Sequence, residues 1–286
     1  MSDIALINDS QQSAIVTNGI GKNGEIYMKA AGSTDEGSLV VYDSGSWRKF
    51  ADEASSFSAY SVDFDGSNDY MSFGTPTLFN TGSAFSFSAW IKIDSYSSNT
   101  YQTIAQFKTN HSNGFQLLAS ATEAYTGLNI GSNDSTNMLR LKTAGDISST
   151  FLNWTHIAMT YNGSGGSTSS NYKIYINGSE VSTTTSGAYA VLSNANSIAA
   201  GNSGGSFHFV GLIDEVATFS SELSSSNITS IYNSGEPADL SSYSPVSWWR
   251  MGDDNSGAGT TITDQGSGGN DGTLTNGPTF SSSVPS

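Results

Sequence analysis

Three kinds of side chain in this sequence have the type and spacing for chemistry: grouped carboxylates, histidines and loop tyrosines. Asp65, Asn68 and Asp69 fall in one tight turn around Gly66, and oxygen donors gathered in a loop are what a hard cation such as calcium takes. The plainer role for the same residues is to make and cap the turn, which Asp and Asn do routinely. Asp214 and Glu215 are neighbours in an extended run, where adjacent side chains point to opposite faces, so alternation keeps them from acting as a pair. A glycosidase needs two facing carboxylates. With eight Glu in the chain and no Glu-x-Asp-x-Glu run, that chemistry has little to build on. His111, His156 and His208 supply raw material for a Ser–His–Asp site, but no Gly-x-Ser-x-Gly elbow accompanies them. His156 is expected as a surface or inter-sheet residue, on the face opposite Ile157, Met159 and Tyr161. Tyr96, Tyr101, Tyr125 and Tyr189 sit in Ser/Asn/Thr-rich loops, where an exposed ring can stack on a pyranose.

The elements that position these residues read as strands. Phe85, Phe87, Ala89, Ile91 and Ile93 alternate strictly with Ser86, Ser88, Trp90 and Lys92. Similar runs cover 60–65, 103–108, 114–120, 137–142, 154–161, 172–177 and 207–219. Asp65-Gly66, Asn113-Gly114, Asn162-Gly163 and Asn177-Gly178 punctuate them, and such dipeptides accept the positive φ of tight hairpin turns. The inward set is expected to be Phe85, Phe87, Ala89, Ile91, Ile93, Ile157, Met159, Tyr161, Ile174 and Ile176. One helix is expected over 225–233, where Ile228, Ile231 and Tyr232 share a face and Gly235 offers a stop. The result is an all-β, two-sheet antiparallel sandwich.

Composition narrows the function. The chain has 286 residues, a formal charge of −15 and only 12% charged residues, with 53 Ser on its polar side. Ten Lys+Arg against 25 Asp+Glu leave no basic footprint, which argues against nucleic-acid binding. No apolar run reaches the length of a membrane span, and residues 1–13 lack the charge and apolar pattern of a Sec signal. Zero Cys removes disulfides, thiolate metal sites and Cys nucleophiles together. Three zones follow. Residues 1–56 carry short strand candidates at 25–30 and 38–43 and too little apolar mass for a core of their own, so they read as an anchor or oligomerisation segment. Residues 57–236 hold the dense strand pattern, and 237–286 form a Gly/Asp-rich tail whose Trp248 and Trp249 argue for packing on the sandwich or on a neighbouring chain.

The central zone resembles the laminin-G-like, concanavalin A-like jelly-roll family. The residues that carry the resemblance are 63–70 (DFDGSNDY), 85–93 (FSFSAWIKI), 154–161 (WTHIAMTY), 172–178 (YKIYING) and 211–216 (GLIDEV), in the family's order over roughly 180 residues. The resemblance implies a jelly roll with a rim near Asp214, which joins Asp65, Asn68 and Asp69 as an expected calcium set. Residues 248–278, from Trp248-Trp249-Arg250-Met251-Gly252 to Gly277-Pro278, resemble the segment that usually opens such a domain, although here they follow it. They are either a truncated second repeat or the completion of the first sandwich. The strings at 37–43 and 45–48 look like pieces of bacteriophage fibre and virion proteins.

The expected function is therefore that of a non-enzymatic structural protein on a virus particle, such as a phage fibre or capsid decoration protein. It is expected at the virion surface after assembly in the host cytoplasm, displaying a lectin-like jelly roll toward host-surface glycans. Its partners would be capsid or tail proteins, reached through residues 1–56, and further copies of itself, with a trimer as the first choice. The alternatives are a bacterial surface or secreted carbohydrate-binding module and, further off, a glycan-degrading enzyme.

Overall fold

The computed structural model describes residues 5–7, 26–29, 39–43, 46–49, 57–73, 82–96, 101–109, 112–120, 125–131, 138–164, 168–187, 198–201 and 207–286. The chain divides into two units, Met1–Ser55 and Ser56–Ser286. In the first, β1 (Ala5–Ile7), β2 (Ile26–Lys29), β3 (Leu39–Asp43) and β4 (Ser46–Lys49) form a sheet in sequence order. Its first pair is parallel and the other two are antiparallel.

The second unit is a sandwich of two sheets. One runs through β5 (Ser61–Asp65), β7 (Phe85–Ile93), β12 (Thr155–Tyr161), β13 (Tyr172–Ile176), β14 (Ser179–Glu180), β17 (Val210–Phe219), β18 (Ser247–Trp249) and β21 (Thr279–Ser281). Its order is β14-β13-β12-β7-β17-β5-β21, with β18 also paired to β17. The other sheet has the order β15-β11-β10-β9-β8-β16-β6-β20-β19. It is built from β6 (Tyr70–Ser72), β8 (Tyr101–Thr109), β9 (Ser112–Ser120), β10 (Tyr125–Gly131) and β11 (Met138–Thr143). It is completed by β15 (Thr183–Ser186), β16 (Ile198–Ala200), β19 (Thr261–Ile262) and β20 (Gly272–Thr275).

Strict alternation explains the core. All ten residues expected inward lie in one buried cluster, together with Phe107, Phe115, Leu117 and Leu141 from the facing sheet. Each large apolar side chain removed from water is worth roughly 1.5–3 kcal/mol, so this set dominates the stability of the unit. Asn162-Gly163 and Asn177-Gly178 are turns, with φ of 79° at Gly163 and 48° and 75° at Asn177 and Gly178. Asn113-Gly114 is not a turn. It lies inside β9, whose pairing with β8 runs down to Thr109↔Ser112.

A single α-helix among the described residues, α1 (Ser225–Tyr232), covers the outer face of the first sheet. Ser224 Oγ accepts from Asn227 N at 3.1 Å as its N-cap, and the helix ends at Asn233 in the left-handed region rather than at Gly235. Ile228 and Ile231 pack with Tyr175, Ala217, Phe219 and Trp248 in a second buried cluster.

The C-terminal segment belongs to this sandwich. Strand β21 pairs with β5, β20 pairs with β6, and β18 pairs with β17, so residues 247–281 supply strands to both sheets. Trp249 is fully buried, stacked on Phe73 at 3.9 Å between centroids, and its Nε1 donates to Asn270 O at 2.8 Å.

Candidate functional site

The four residues expected to hold calcium do not converge. Asp65 is paired with Val210 across the β5–β17 ladder, and Asp214 lies four residues further along β17, roughly 13 Å away at strand spacing. Asp65 Oδ1 accepts from Ser67 N at 2.8 Å, and Asp69 Oδ2 accepts from Asp65 N at 3.1 Å. Asn68 takes part through its carbonyl, which accepts from Asn276 Nδ2 at 2.9 Å. These carboxylates serve the turn. Among the described residues no group of three or more His, Asp or Glu is arranged to hold a metal ion.

Asp214 has a different task. The register of β17 against β7 slips by one residue between Asp214 and Ala217, and Glu215 adopts φ 49° at the slip. This β-bulge breaks the alternation on which the sequence expectation rested. Asp214 and Glu215 are thus joined in one buried polar network rather than split between faces. Asp214 Oδ2 accepts from Ser58 Oγ and Oδ1 from Glu215 N, each at 2.7 Å. Glu215 accepts from Trp248 Nε1 at 2.6 Å and Arg250 Nε at 3.3 Å. Arg250 donates in turn to Asp253 at 2.6 Å and to the carbonyl of Phe57, and its guanidinium lies 4.2 Å from the Phe57 ring centre. Asp253 Oδ1 accepts from Ala59 N and Tyr60 N, both at 2.9 Å.

Burial dominates the electrostatics there. It pushes the Glu215 carboxyl from its ordinary 4.5 to about 7, against the pull of Arg250 and Trp248. Burial, then the neighbouring Glu215, raises Asp214 well above its ordinary value. The network ties 57–60, β17, β18 and 253 together. With side chains only 0% and 3% exposed, the pair latches these segments together.

His156 and Ser88 make the second constellation with catalytic chemistry, with Ser88 Oγ 2.8 Å from His156 Nε2. Both are buried on the outer face of the first sheet, and His156 lies beside the rings of Trp90 and Tyr232. His156 Nδ1 has no partner among the described residues, so no carboxylate orients the ring. Burial lowers its pKa to about 3. A neutral, sealed imidazole is a packing element.

The tyrosines separate. Tyr96 is half-buried against the core and its hydroxyl donates to Ser148 O at 3.3 Å, so the ring is not a free platform. Tyr189 and His111, and the side chain of Tyr125, lie outside the described residues. Tyr101 and the backbone position of Tyr125 come together, because both are register partners of Ser120, one from each side. Tyr101 is partly exposed and meets Phe207 edge to face at 5.4 Å. Phe207, at 39%, is one of two exposed large apolar side chains among the described residues. The adjacent Thr103 N donates to Phe207 O at 2.9 Å, which fixes this aromatic corner to the end of β8. The sequence did not single out Phe207, because it merged with the run that becomes β17. The strand begins only at Val210.

A comparison with family models matches residues 65–229 to the concanavalin A-like lectin/glucanases superfamily, in its third laminin-G type. No curated protein matches the chain. Among solved structures, a candidate carbohydrate-binding protein from Bacteroides ovatus ATCC 8483 is 19% identical with a TM-score of 0.55, over 79% of this chain. This chain spans 61% of that protein's length. The heptameric SAP-like pentraxin from Limulus polyphemus is 14% identical with a TM-score of 0.44, over 61% of this chain and 82% of its own.

Proposed function

We propose that this chain, which belongs to the concanavalin A-like lectin/glucanases superfamily, is a non-enzymatic, glycan-binding structural protein displayed on the surface of a virus particle. The observation that carries the reading is a contrast of exposure. Both constellations with catalytic chemistry, Asp214–Glu215 and Ser88–His156, are buried, while the Tyr101–Phe207 corner is partly exposed. Rings presented this way stack on sugar faces, and a fold alone would not distinguish binding from hydrolysis. The virion placement is supported by the phage-like strings at 37–43 and 45–48 and by the small separate unit Met1–Ser55. A unit of that size carries few apolar side chains against a backbone-ordering cost of about 1–2 kcal/mol per residue. It suits an anchor that folds with capsid or tail proteins, or with two further copies around a shared axis.

The test uses the full chain and an antibody raised against it. Purified particles should carry the label at their surface, a glycan array should show binding, and a polysaccharide-release assay should show no product. Label confined to bacterial cell envelopes would replace the virion with a cellular surface, and released oligosaccharide would overturn the non-enzymatic reading.

A further inference from the structure

Residues 57–60 are the first described part of the sandwich unit that the chain reaches after Met1–Ser55, and they lie outside its strands, since β5 begins at Ser61. Side chains hold them in place. Ser58 Oγ donates to Asp214, Arg250 donates to the Phe57 carbonyl, and Asp253 accepts from the amides of Ala59 and Tyr60. The Phe57 ring stacks on Trp248 at 6.0 Å between centroids, with the Arg250 guanidinium over its face. The segment therefore meets Asp214 directly and Glu215 through Trp248 and Arg250.

This cluster is short of positive charge. Asp214, Glu215 and Asp253 share one guanidinium, that of Arg250, which bonds Asp253 at 2.6 Å and Glu215 at 3.3 Å. Asp214 is served by a hydroxyl and an amide instead. Among the described residues the surrounding elements do not make up the deficit. Strand β7 sets Trp90 opposite Asp214, β18 sets Trp249 opposite Val216, and α1 carries no charged side chain. The segment itself adds only the Tyr60 phenol, whose ring lies against Gly257. The exposed Asp239 beyond α1, within electrostatic reach of Arg250, is one more carboxylate. Buried ions need partners, so full ionisation would leave excess negative charge where water is excluded. Burial accordingly raises both Asp214 and Glu215.

We propose that residues 57–60 are a pH-operated flap, seated on this cluster while its carboxylates hold protons and released as they ionise. A charge formed in a dry site favours whichever movement admits water at least cost. Moving 57–60 breaks side-chain bonds and one aromatic stack, whereas moving β17 or β18 would break ladder pairs as well. A carboxyl raised in the closed form favours closure fully below its ordinary value, and that contribution is lost as pH rises through the raised one. For Glu215 the window runs from 4.5 to about 7. Release frees four residues, about 13 Å at full extension, in the chain that leads from Met1–Ser55 to β5. In the proposed anchor role, the sandwich would gain that reach in neutral and alkaline solution and give it up in acid. The flap does not depend on glycan binding.

The experiment is amide hydrogen exchange of the full chain from pH 5 to 8, with each rate expressed as protection relative to an unstructured peptide at the same pH. Between pH 5 and 7 the amides of Ala59 and Tyr60 should lose protection by at least about tenfold per pH unit, the factor that accompanies one unit of pKa difference. Met159, buried in β12 between β7 and β13, should stay better protected throughout, because central strands open last. Sub-denaturing urea separates the two routes. Release of four residues exposes little surface, so urea should leave Ala59 and Tyr60 unchanged while it lowers the protection of Met159. The double variant Asp214→Asn, Glu215→Gln keeps the acceptors, cannot ionise at either position, and should give a flat pH profile at Ala59 and Tyr60. Wild-type protection there that is independent of pH, or that equals that of Met159 and falls with it in urea, would overturn the flap. So would an unchanged pH profile in the double variant. If that variant does not fold, the wild-type pH and urea profiles decide the matter by themselves.

Discussion

The replacement Glu215→Gln tests whether the buried latch is held by its geometry or strained by its charge. A carboxyl raised in the folded state stabilises the fold fully below its unfolded value and loses that contribution as pH rises through the folded value. For Glu215 the window runs from 4.5 to about 7. Each pH unit of difference is worth about 1.4 kcal/mol, so the wild type forfeits about 3 kcal/mol on this account between pH 4.5 and pH 8. Glutamine keeps an acceptor for Trp248 Nε1 and cannot ionise, while it gives up the charge of the pair with Arg250. Asp214 stays in both proteins and loses a repulsive neighbour in the variant, which adds in the same direction.

The stability difference between variant and wild type should therefore move in the variant's favour by about 3 kcal/mol from pH 4.5 to pH 8. Urea unfolding followed by tryptophan fluorescence at half-unit pH steps reads this directly, and taking the difference removes every group common to both chains. A difference that stays constant, or moves against the variant at alkaline pH, would show that Arg250 and Trp248 hold Glu215 ionised throughout. Burial would then be the weaker effect, and the reasoning would fail.

His156→Gln should flatten the acid limb of the stability profile: the imidazole, lowered to about 3 by burial, gives stability that is present above pH 6.5 and lost as pH falls toward 3. A wild-type curve with no loss below pH 6 beyond that of the variant refutes this. Trp249→Ala should cost about 3–5 kcal/mol by leaving a cavity against Phe73 and an unpaired Asn270 carbonyl, measured by the same denaturant titration. EDTA should leave the melting temperature unmoved, since Asp65 and Asp69 already accept from backbone amides, and a fall of several degrees would restore a metal to this turn. Gly211→Ala should lower the melting temperature, because φ there is 133° and a Cβ would collide with the Lys92 carbonyl across the β7–β17 ladder.

The parts of the fold that were legible in the sequence obey local rules. Period-two alternation named the inward face of β7, β12 and β13 residue by residue, because a one-residue slip would have turned all of it to solvent. The same rule failed at Glu215, where an extra residue enters β17. A bulge is a pairing event between strands and leaves no mark in the spacing of one of them. It also failed at Asn113-Gly114, where turn chemistry sits in a strand because the register of β8 against β9 carries the pairing past it. The candidate site divides in the same way. Tyr101 was legible as an aromatic flanked by polar Ser, Asn and Thr residues. That Tyr101 and Tyr125 share a register row required the pairing of three strands.

The tail shows why composition misled. Gly, Asp and Asn fill residues 251–278 as they fill linkers, yet here they make turns between short strands, with Asp264 accepting from the backbone amides of Trp248, Gly266 and Asn270. Its last strand pairs Ser281 with Ser61, so the end of the chain lies beside the strand that opens the sandwich. When the two ends of a domain meet, a segment can be carried at either terminus and still fill the same place. That geometry accounts for a stretch resembling a domain's opening and arriving after its close. The strands β18, β20 and β21 fill one sandwich with β17, β6 and β5, and they are not the start of a second.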